Sequence, residues 1–523
     1  MKRTSGILTS LVFFASFAST QSQETVVQFG MTDSVVISKN IYGHFAEHLG
    51  HCIYGGIWVG ERSTIPNTRG IRNDVVAALR KIRIPVVRWP GGCFADDYHW
   101  MEGIGPAASR PNLVNTTWGG VTEDNSFGTH EFMDFCEQTG AEPYICGNIR
   151  SGTVKEMSDW VQYLTSDGDN AMAKLRRSNG REKPWTVKFW AMGNETWGCG
   201  GIMPADFYAS ELGRYSTSLK NFEDSHLYKV ASGGLPEDYN WTETIMKKWS
   251  TTDGWLQGYM SGYSLHFYAV TNWEKKGPAT QFDEAGWFTT LAKTWEMDAL
   301  ISKHSAIMDK YDPKKRIGLV VDEWGTWYDV ESGTNPSFLY QQNTMRDAVA
   351  AAINLNIFNN HADRVKMANI AQLVNVLQSL ILTDGAKMVL TPTYYVFDLF
   401  KVHQNALRIP ATLEAAEYAV GDKKMPAVSC SASVDEQRRV HVSLANADFS
   451  HTQKVALRFA RFTPVNVSGK VLDSGRANDF NSFEHPDVVA PKAFSDFSIS
   501  AGNLVVALPP ASVVVLELEG KNE

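Results

Sequence analysis

Two glutamates stand where strand-like runs of the sequence end, and together they could cleave a glycosidic bond. Glu195 follows the run 188–192 in Trp-Ala-Met-Gly-Asn-Glu, and Glu323 ends the run 317–322 in Val-Val-Asp-Glu-Trp-Gly. Two carboxyl groups ~5–5.5 Å apart hydrolyse such a bond with retention, since one protonates the leaving oxygen and the other attacks the anomeric carbon. The two glutamates are far apart in the sequence, but they can act together if the fold brings the ends of the two strands to one place.

The two glutamates would have different roles. Glu323 is expected to stay ionised as the nucleophile, whereas burial and repulsion from Glu323 would keep a proton on Glu195. Once Glu323 is esterified the repulsion disappears, and Glu195 can serve as the base for water. A loop carboxylate that is merely solvated or salt-bridged is the alternative for each glutamate alone. The flanking Asn194 and Trp324 favour the catalytic interpretation, because they could bind a sugar hydroxyl and wall the site.

Eight strand-like runs, each followed by a helical stretch, must position these glutamates. This order predicts an α/β fold with a catalytic (β/α)8 TIM barrel over 40–385, whose active site lies at the carboxyl ends of the strands. A doubly wound sheet is the alternative, but no Gly-x-Gly-x-x-Gly follows the first strand. The predicted strands are 41–46, 85–89, 143–147, 188–192, 229–232, 263–268, 317–322 and 367–372; the predicted helices are 73–82, 131–139, 154–164, 205–219 and 339–359.

After the barrel the pattern changes to short alternating runs separated by turn residues. These runs predict a C-terminal antiparallel β-sandwich of the jelly-roll type over 386–523, without helical periodicity. Two strand-like runs within 23–39 precede the barrel and are expected to join this sandwich. The predicted sandwich strands are 428–434, 439–445, 454–459, 465–471, 504–508 and 512–518, and the two early runs are 26–29 and 34–37.

Other residues at predicted strand ends could complete the site. Glu47 follows the first strand and is interpreted as a ligand-binding group rather than a structural ion-pair partner. Arg88 is expected to partner a catalytic carboxylate. His266 could orient other groups or contact substrate directly, and Trp197 could be a sugar platform or pack under its loop. The Pro90-Gly91-Gly92 loop would let the backbone approach a ligand closely.

Six motifs, in order, resemble those of the glycoside hydrolase family 51 α-L-arabinofuranosidases. The two glutamate motifs resemble the acid/base and nucleophile motifs of this family and of its clan, clan A. Four further segments are similar to the family's first, second, sixth and eighth strands: Ile-Tyr-Gly-His-Phe-Ala-Glu-His-Leu-Gly (41–50), Val-Arg-Trp-Pro-Gly-Gly-Cys-Phe (87–94), Ser-Leu-His-Phe-Tyr (264–268) and Ala-Asn-Ile-Ala-Gln-Leu-Val-Asn (368–375). The resemblance implies an exo-acting enzyme that removes terminal α-L-arabinofuranosyl groups with retention, from arabinan, arabinoxylan or their oligosaccharides.

The resemblance also implies roles for individual residues. Glu195 would be the acid/base and Glu323 the nucleophile, oriented by the phenol of Tyr268. Cys93 stands where many relatives have Asn, so the donor there would be the backbone rather than the side chain. The residues implied to hydrogen-bond the arabinose hydroxyls are Glu47, Asn194 and Gln372. One departure is the segment 196–201, Thr-Trp-Gly-Cys-Gly-Gly, where the family more often has Met-Asp-Gly-Pro-Trp; this loop should border the leaving group.

Composition and charge exclude several classes of function. The 523 residues include 49 basic and 57 acidic side chains, a net charge of −8. No run of basic residues predicts a nucleic-acid or anionic-membrane surface. Neither metal nor cofactor is expected. A second enzymatic interpretation is an endo-acting glucanase or xylanase on the same scaffold, and a non-enzymatic one is a catalytically silent carbohydrate-binding protein.

One motif suggests a competing metal chemistry. His44-Phe-Ala-Glu-His48 matches the His-x-x-Glu-His pattern of zinc peptidases, which needs a helix to bring both imidazoles to one face. Gly43 and Gly50 bracket the motif and a strand-like run precedes it, so a helix there is not expected.

The N-terminus and the cysteines bear on location and cross-linking. Lys2, Arg3 and the apolar run 7–18 predict a signal peptide over 1–22, and therefore export to the periplasm or beyond. The six cysteines form no Cys-x-x-Cys pair. Buried free thiols with at most one or two bridges are the favoured interpretation, and a bridge between Cys93 and Cys199 at the barrel mouth is left open. The family resemblance is compatible with a homo-oligomer.

Overall fold

The computed structural model describes residues 25–252, 258–500 and 503–522. Its strands, in chain order, are β1 (Thr25–Phe29), β2 (Gly43–Phe45), β3 (Asn67–Thr68), β4 (Ile71–Arg72), β5 (Val86–Trp89), β6 (Leu113–Asn115), β7 (Val121–Glu123), β8 (Glu142–Gly147), β9 (Phe189–Met192), β10 (Tyr228–Ala231), β11 (Gly262–Ala269), β12 (Gly318–Thr326), β13 (Val365–Ala371), β14 (Ile381–Asp384), β15 (Lys387–Leu390), β16 (Leu407–Ile409), β17 (Ala411–Glu414), β18 (Glu417–Val420), β19 (Lys423–Pro426), β20 (Val428–Val434), β21 (Val440–Asn446), β22 (Gln453–Phe459), β23 (Phe462–Leu472), β24 (Lys492–Phe494), β25 (Phe497–Ser500), β26 (Asn503–Leu508) and β27 (Ser512–Asn522). The α-helices are α1 (Asn73–Lys81), α2 (Thr129–Thr139), α3 (Val154–Thr165), α4 (Ala171–Ser178), α5 (Ala205–Ser218), α6 (Tyr239–Thr252), α7 (Glu284–Tyr311), α8 (Met345–Asn360) and α9 (Pro392–Phe400).

Eight parallel strands close into a barrel in the order β2-β5-β8-β9-β10-β11-β12-β13, with β13 pairing back to β2. All eight strands predicted for the barrel are confirmed within a few residues at their ends. Apolar side chains from alternate positions fill the barrel interior, as this architecture requires. They include Val86, Tyr144, Phe189, Val230, Val320 and Met367.

Four of the five predicted helices are confirmed as α1, α2, α3 and α5, and the fifth starts later than predicted. Helix α8 begins at Met345 rather than at 339, because Leu339 adopts a left-handed conformation (φ 50°). Thr344 then caps the helix through a reciprocal pairing with Asp347, which satisfies amide groups that the first turn leaves free. Helices α4, α6, α7 and α9 were not predicted.

Two sheets form the C-terminal sandwich. The first has the order β17-β1-β22-β26-β25 and the second β16-β20-β21-β27-β23-β24. Strand β1 lies antiparallel to β17 but parallel to β22, so one pair departs from the antiparallel expectation. The run 34–37 makes only a single bridge, between Val36 and Leu407. Helix α9 corrects the expectation that no helix follows residue 386: its apolar side chains are buried almost throughout.

Helix α8 connects the barrel to the sandwich. Residues 345–359 of this helix are all buried. Asn356 and Asn359 donate side-chain hydrogen bonds to Ser429 and Ser431 of β20, at 3.1 and 3.0 Å. The barrel that carries the site is therefore braced from outside by the sandwich. Among the described residues, every helix is too short or too polar to traverse a bilayer.

Candidate active site

Glu195 lies just beyond the end of β9, in a tight turn. Gly193 (φ 91°) and Glu195 (φ 35°) both have positive φ, and a Cβ on Gly193 would come within 2.7 Å of Ile149 Cδ1. Glycine is therefore needed at 193 to let the chain turn. The turn places the Glu195 side chain, 21% exposed, at the barrel mouth.

Glu323 is presented by a β-bulge in β12. Between Val321 and Trp324 this strand has one residue more than β13, and its pairing with β11 shifts at the same place. A bulge bends the strand and changes the direction of its side chains. As a result the neighbouring side chains Asp322 and Glu323 both contact groups of the site, although alternation along a regular strand would separate them.

The two carboxylates meet around His266. A carboxylate oxygen from each of Glu195 and Glu323 and a ring nitrogen of His266 all lie within 4.8 Å of one another. His266 Nδ1 is 3.0 Å from Glu195 Oε1 and 3.6 Å from Glu323 Oε2, and its Nε2 is 3.4 Å from Asp322 Oδ1. Burial alone would lower the pKa of His266, but the charge of Glu323 and the hydrogen bonds to Asp322 and Glu195 raise it to about 10. The imidazole is therefore a cation at neutral pH.

Asp322, which the sequence analysis did not select, holds this cation in place. Its carboxylate accepts hydrogen bonds from Tyr144 (2.7 Å) and Ser264. Burial would raise its pKa, yet the bond from His266 and the charges of Arg88 and His266 lower it to about 2. Its position directly before the nucleophile was the only signal in the sequence, and the bulge that exposes it to the site could not be foreseen.

Two further donors hold the carboxylate of Glu323. Arg88 Nη1 donates to Oε2 at 2.9 Å, and the Tyr268 phenol donates to Oε1 at 2.8 Å. Burial and the negative charge of Glu323 raise the pKa of Tyr268 well above its usual range, so the phenol keeps its proton and remains a donor. Arg88 is itself fixed, with its guanidinium 4.5 Å from the ring centroid of Phe45.

Glu47 lies buried at the end of β2 and accepts four hydrogen bonds. Its Oε1 accepts from the backbone amides of Gly92 (2.9 Å) and Phe94 (3.1 Å) and from Trp118 Nε1 (3.1 Å), and its Oε2 accepts from Gln372 Nε2 (2.9 Å). Burial and the charge of Glu323 raise the pKa of Glu47 to about 7 against the effect of these donors. The Oε1 of Gln372 has no hydrogen-bond partner among the described residues, so it can accept one from a ligand.

Asn194 is oriented from two sides. Arg88 Nη2 donates to its Oδ1 at 2.6 Å, and its Nδ2 lies 3.4 Å from Asp96 Oδ2. Burial raises the pKa of Asp96 well above the usual range, with a smaller contribution from the charge of Glu195. Asp96 was not selected from the sequence, because nothing in the Asp96-Asp97 pair indicates that the first carboxylate is buried.

A disulfide joins two loops of the mouth. Cys93 and Cys199 are bonded, with Cα atoms 5.6 Å apart, which settles the bridge that the sequence left open. The bond leaves Cys93 no thiol to donate, so only its backbone remains for a ligand. The favoured interpretation of buried free thiols holds for the other four cysteines: Cys52, Cys136, Cys146 and Cys430. Gly92, beside the bridge, lies close to the carboxylate of Glu323, because a Cβ there would lie 3.1 Å from its Oε2. The close approach of this loop to a ligand stays a prediction.

Several of these groups line a cavity of about 580 Å³ at the carboxyl ends of the barrel strands: Glu47, Gly92, Cys93, Asn194, Glu195, His266, Tyr268 and Glu323. Arg88, Asp96, Asp322 and Gln372 lie behind this lining and are buried. The size of the cavity suits a small sugar with part of a leaving group. Trp197 lines the cavity and also packs against the core, so its role as a sugar platform stays a prediction. Trp118, Trp273 and Trp327 line the cavity as well, and the sequence analysis missed them. Trp118 lies in the turn of an inserted hairpin, between β6 and β7, and precedes two glycines of positive φ, a turn signal that could have drawn attention to it.

The alternative zinc motif is not arranged to bind a metal. His44 lies on strand β2 and packs 4.7 Å from the ring centroid of Phe397, with both ring nitrogens buried. His48 instead pairs with Glu123 at 2.9 Å. The motif is thus on a strand and its loop rather than on a helix. Among the described residues, the clustered side chains with ligand-type atoms are the active-site groups themselves, the bonded cysteines included.

Comparisons with known proteins agree with this geometry. Residues 78–286 match the family described as alpha-L-arabinofuranosidase 1 domain, and residues 322–512 match the alpha-L-arabinofuranosidase C-terminal domain. A protein of Bacteroides ovatus named intracellular exo-alpha-L-arabinofuranosidase is 48% identical over 517 residues, which cover 98% of this chain and 99% of that protein.

Solved structures give the same result. The GH51 arabinofuranosidase from Xanthomonas axonopodis pv. citri has a TM-score of 0.92 at 47% identity, covering 95% of this chain and 100% of that one. The alpha-L-arabinofuranosidase from Thermotoga maritima, solved as an arabinose complex, has a TM-score of 0.82 at 29% identity over the same shares.

One prediction is corrected by these comparisons. The chain was expected to be exported, but the Bacteroides ovatus relative, which aligns over nearly its whole length, is named an intracellular enzyme. The prediction of periplasmic or extracellular location is therefore wrong. The predicted signal peptide, 1–22, lies outside the described residues. The prediction was weak because a basic start followed by an apolar run, with no clean Ala-x-Ala cleavage site, also occurs in proteins that are not exported.

The matches at 48% and 47% identity span nearly the whole chain and include both glutamate motifs. The chain belongs to the glycoside hydrolase family 51 α-L-arabinofuranosidases.

Proposed function

We propose that this protein is an exo-acting, retaining α-L-arabinofuranosidase. It removes terminal non-reducing α-L-arabinofuranosyl groups from arabinan- or arabinoxylan-type polysaccharides or from their oligosaccharides. The observation that carries the proposal is the meeting of Glu195, His266 and Glu323 within 4.8 Å at the barrel mouth. Such a short separation leaves no room for a water between the carboxylates, which favours retention over inversion.

In the first step Glu323 attacks the anomeric carbon while Glu195 protonates the leaving oxygen. The C1–O bond to the leaving group breaks, and an ester forms between C1 and Glu323. Arg88 and Tyr268 hold the attacking carboxylate in one orientation through the hydrogen bonds described above. This preorganisation lowers the cost of reaching the transition state.

In the second step Glu195, now a carboxylate, takes a proton from water, whose oxygen attacks C1 and releases Glu323. Two inversions give net retention. His266 stays next to Glu195 in both steps and, as a cation, stabilises it whenever it is negative. No metal or cofactor takes part in either step.

The furanose would be held on the side of the cavity formed by the ends of β2, β9 and β13. Glu47, Asn194 and Gln372 are fixed there by buried hydrogen bonds, and each has the polar atoms that a sugar hydroxyl requires. Trp197 borders the same cavity. Cys93 lines it too, and because its sulfur is in the disulfide, its backbone is the part that could hydrogen-bond the sugar. A terminal sugar bound in this way agrees with the exo activity in the name of the Bacteroides ovatus relative.

The test compares products from arabinoxylan. Wild type should release free arabinose and cleave 4-nitrophenyl α-L-arabinofuranoside, while the xylan backbone keeps its length and viscosity. Glu323→Gln should release nothing, and Glu414→Gln, which changes an exposed carboxylate on β17 of the sandwich, serves as the matched control.

Two other outcomes would contradict the proposal. A rapid fall in viscosity with release of xylo- or gluco-oligosaccharides would indicate an endo-acting glucanase or xylanase on the same scaffold. If wild type and Glu323→Gln both bind arabinoxylan and neither releases any product, the protein is a carbohydrate-binding protein.

A further inference from the structure

The active-site cavity has a polar half and an apolar half. The polar half contains Glu47, Gly92 and Asn194, which surround the proposed furanose position. The other half is formed by the loops that follow β10, β11 and β12. Its lining residues are Leu235, Pro236, Glu237, Val270, Trp273 and Trp327.

The apolar half lies on the side from which a leaving group must depart. Glu195 protonates the leaving oxygen, and β9, which presents Glu195, is next to β10 in the barrel. The loop after β10 carries Leu235, whose side chain is 49% exposed at the cavity. A leaving group bonded to the oxygen beside Glu195 therefore extends over the loops after β10 and β11.

Trp273 offers an open aromatic face in this half. Its side chain is 60% exposed although it is the largest apolar residue type. Its ring meets Trp327 edge to face, with centroids 5.4 Å apart and an interplanar angle of 80°. Trp327 meets Tyr268 in the same manner at 5.1 Å, and Tyr268 donates to Glu323. A continuous series of rings thus runs from the nucleophile to the outer end of the cavity.

The loop that carries Trp273 is braced, so the exposed ring is held in place. Lys276 Nζ donates to the backbone carbonyl of Trp273 at 2.8 Å and lies about 6 Å from the centroids of both Trp273 and Trp327. An apolar surface that is fixed but left open to water marks a binding position.

We propose that Trp273 is a stacking platform for a pyranose ring in the leaving group. A pyranose chair with equatorial hydroxyls exposes a flat face of axial C–H groups, which matches an indole face. A furanose is puckered and carries substituents on both faces. The charged groups nearby, Glu237 and Lys293, are of opposite sign, which suits a neutral sugar with hydroxyls rather than an anionic one. This proposal rests on the proposed function, and it selects arabinose borne on a xylose-type backbone over arabinose borne on arabinan.

The experiment measures kcat/KM on three substrates that share the arabinofuranosyl group. They are xylobiose with one α-L-arabinofuranosyl branch, arabinobiose, and methyl α-L-arabinofuranoside, whose leaving group has no ring. Trp273→Ala should lower kcat/KM about tenfold on the branched xylobiose and less than twofold on the other two. Trp273→Phe should recover part of the loss. Phe207→Ala, an aromatic residue of α5 that is 53% exposed and does not line this cavity, is the matched control.

Transfer to acceptors gives a second readout that a structural effect would not move. All three substrates form the same arabinosyl ester, so its reaction with water should be unchanged in Trp273→Ala. Transfer to added xylobiose should fall about tenfold relative to hydrolysis, whereas transfer to methanol should not. Equal losses on all three substrates, equal losses on branched xylobiose and arabinobiose, or no loss at all would each overturn the proposal. If wild type cleaves none of the three, it is the proposed function that fails.

Discussion

Glu323 and Glu195, on two sides of the barrel mouth, have very different sets of hydrogen-bond partners. Glu323 receives hydrogen bonds from Arg88 and Tyr268 at 2.9 and 2.8 Å, and the cationic His266 lies 3.6 Å away. Among the described residues, Glu195 has His266 at 3.0 Å, and the bridged sulfur of Cys199, which has no proton to donate, lies 3.8 Å away. The two identical side chains thus differ in the donors around them: several donors, Arg88 among them, fix the carboxylate of Glu323, whereas His266 is the close partner of Glu195.

The difference extends to how firmly each glutamate is positioned. Glu323 belongs to a barrel strand and contacts groups of β5 and β11, which are buried in the barrel wall. Glu195 lies in a turn after β9, on a loop held by the Cys93–Cys199 bridge. A nucleophile needs one fixed line of attack, whereas an acid/base must serve both a leaving group and a water.

The largest expected effect comes from removing the better-held carboxylate. Glu323→Ala should lower kcat roughly 10⁴-fold or more, since no group remains to form the covalent intermediate. The loss should be similar for 4-nitrophenyl and sugar leaving groups, as measured by steady-state kinetics with both. A loss below tenfold would show that Glu323 is not the nucleophile.

Removing the other carboxylate should give a loss that depends on the leaving group. Glu195→Ala should cost about 10³-fold on arabinobiose, whose leaving oxygen needs a proton. On 2,4-dinitrophenyl α-L-arabinofuranoside the first step should be nearly unaffected, and a burst of dinitrophenol should appear because the second step lacks its base. Equal losses on both substrates would argue that Glu195 acts by holding the fold rather than as acid.

The charge of Glu323 should also affect how the free energy of unfolding depends on pH, because it helps to raise the pKa of Glu47. Burial and this charge raise the pKa of Glu47 from 4.5 to about 7, so the folded state binds the proton more tightly than the unfolded state does. This tighter proton binding adds roughly 3 kcal/mol to the free energy of unfolding below about pH 4.5, and the added stability is lost as the pH rises through 7. Glu47→Gln should remove this part of the pH dependence in chemical unfolding between pH 4.5 and 8. Glu414→Gln, on the exposed face of β17, is the control, and an unchanged pH profile in Glu47→Gln would contradict the assignment.

The smallest effect should come from removing one of the donors to Glu323. Tyr268→Phe deletes a hydrogen bond to a charged group, worth about 1.5–3 kcal/mol, so kcat should fall about 10- to 100-fold with stability little changed. Tyr163→Phe, whose hydroxyl contacts His130 and Asn179, is the control with no expected effect on kcat. A loss in Tyr268→Phe no greater than in the control would mean that the phenol does not orient the nucleophile.

Much of the barrel and both glutamates were predictable because their signals are local. Buried strands give short apolar runs, and a residue at the end of such a run must lie at the barrel mouth. The hydrogen bond between Glu47 and Gln372 joins residues 325 positions apart, so it exists only once β13 closes the barrel on β2. The bulge that turns Asp322 into the site is set by strand register, which one sequence does not reveal.

The aromatic groups of the mouth show the same limit. Trp118 and Trp273 lie in loops; the two glycines after Trp118 indicate a turn, but neither loop has a composition that indicates a binding site. Their positions become meaningful only beside Trp327 and Glu47, which come from other parts of the chain. The start of α8 was missed for a more local reason: the sequence from 339 is compatible with a helix, but the Thr344 cap with Asp347 defines a later beginning.

The most direct test of the unequal roles is the anomeric configuration of the azide product made by each alanine variant, read by NMR. With Glu323→Ala, azide should enter from the vacated side and give the β-L-arabinofuranosyl azide, the inverted product. With Glu195→Ala, azide should react with the covalent ester on Glu323 and give the α-azide, the retained product. The opposite assignment of products, or the same product from both variants, would contradict the account.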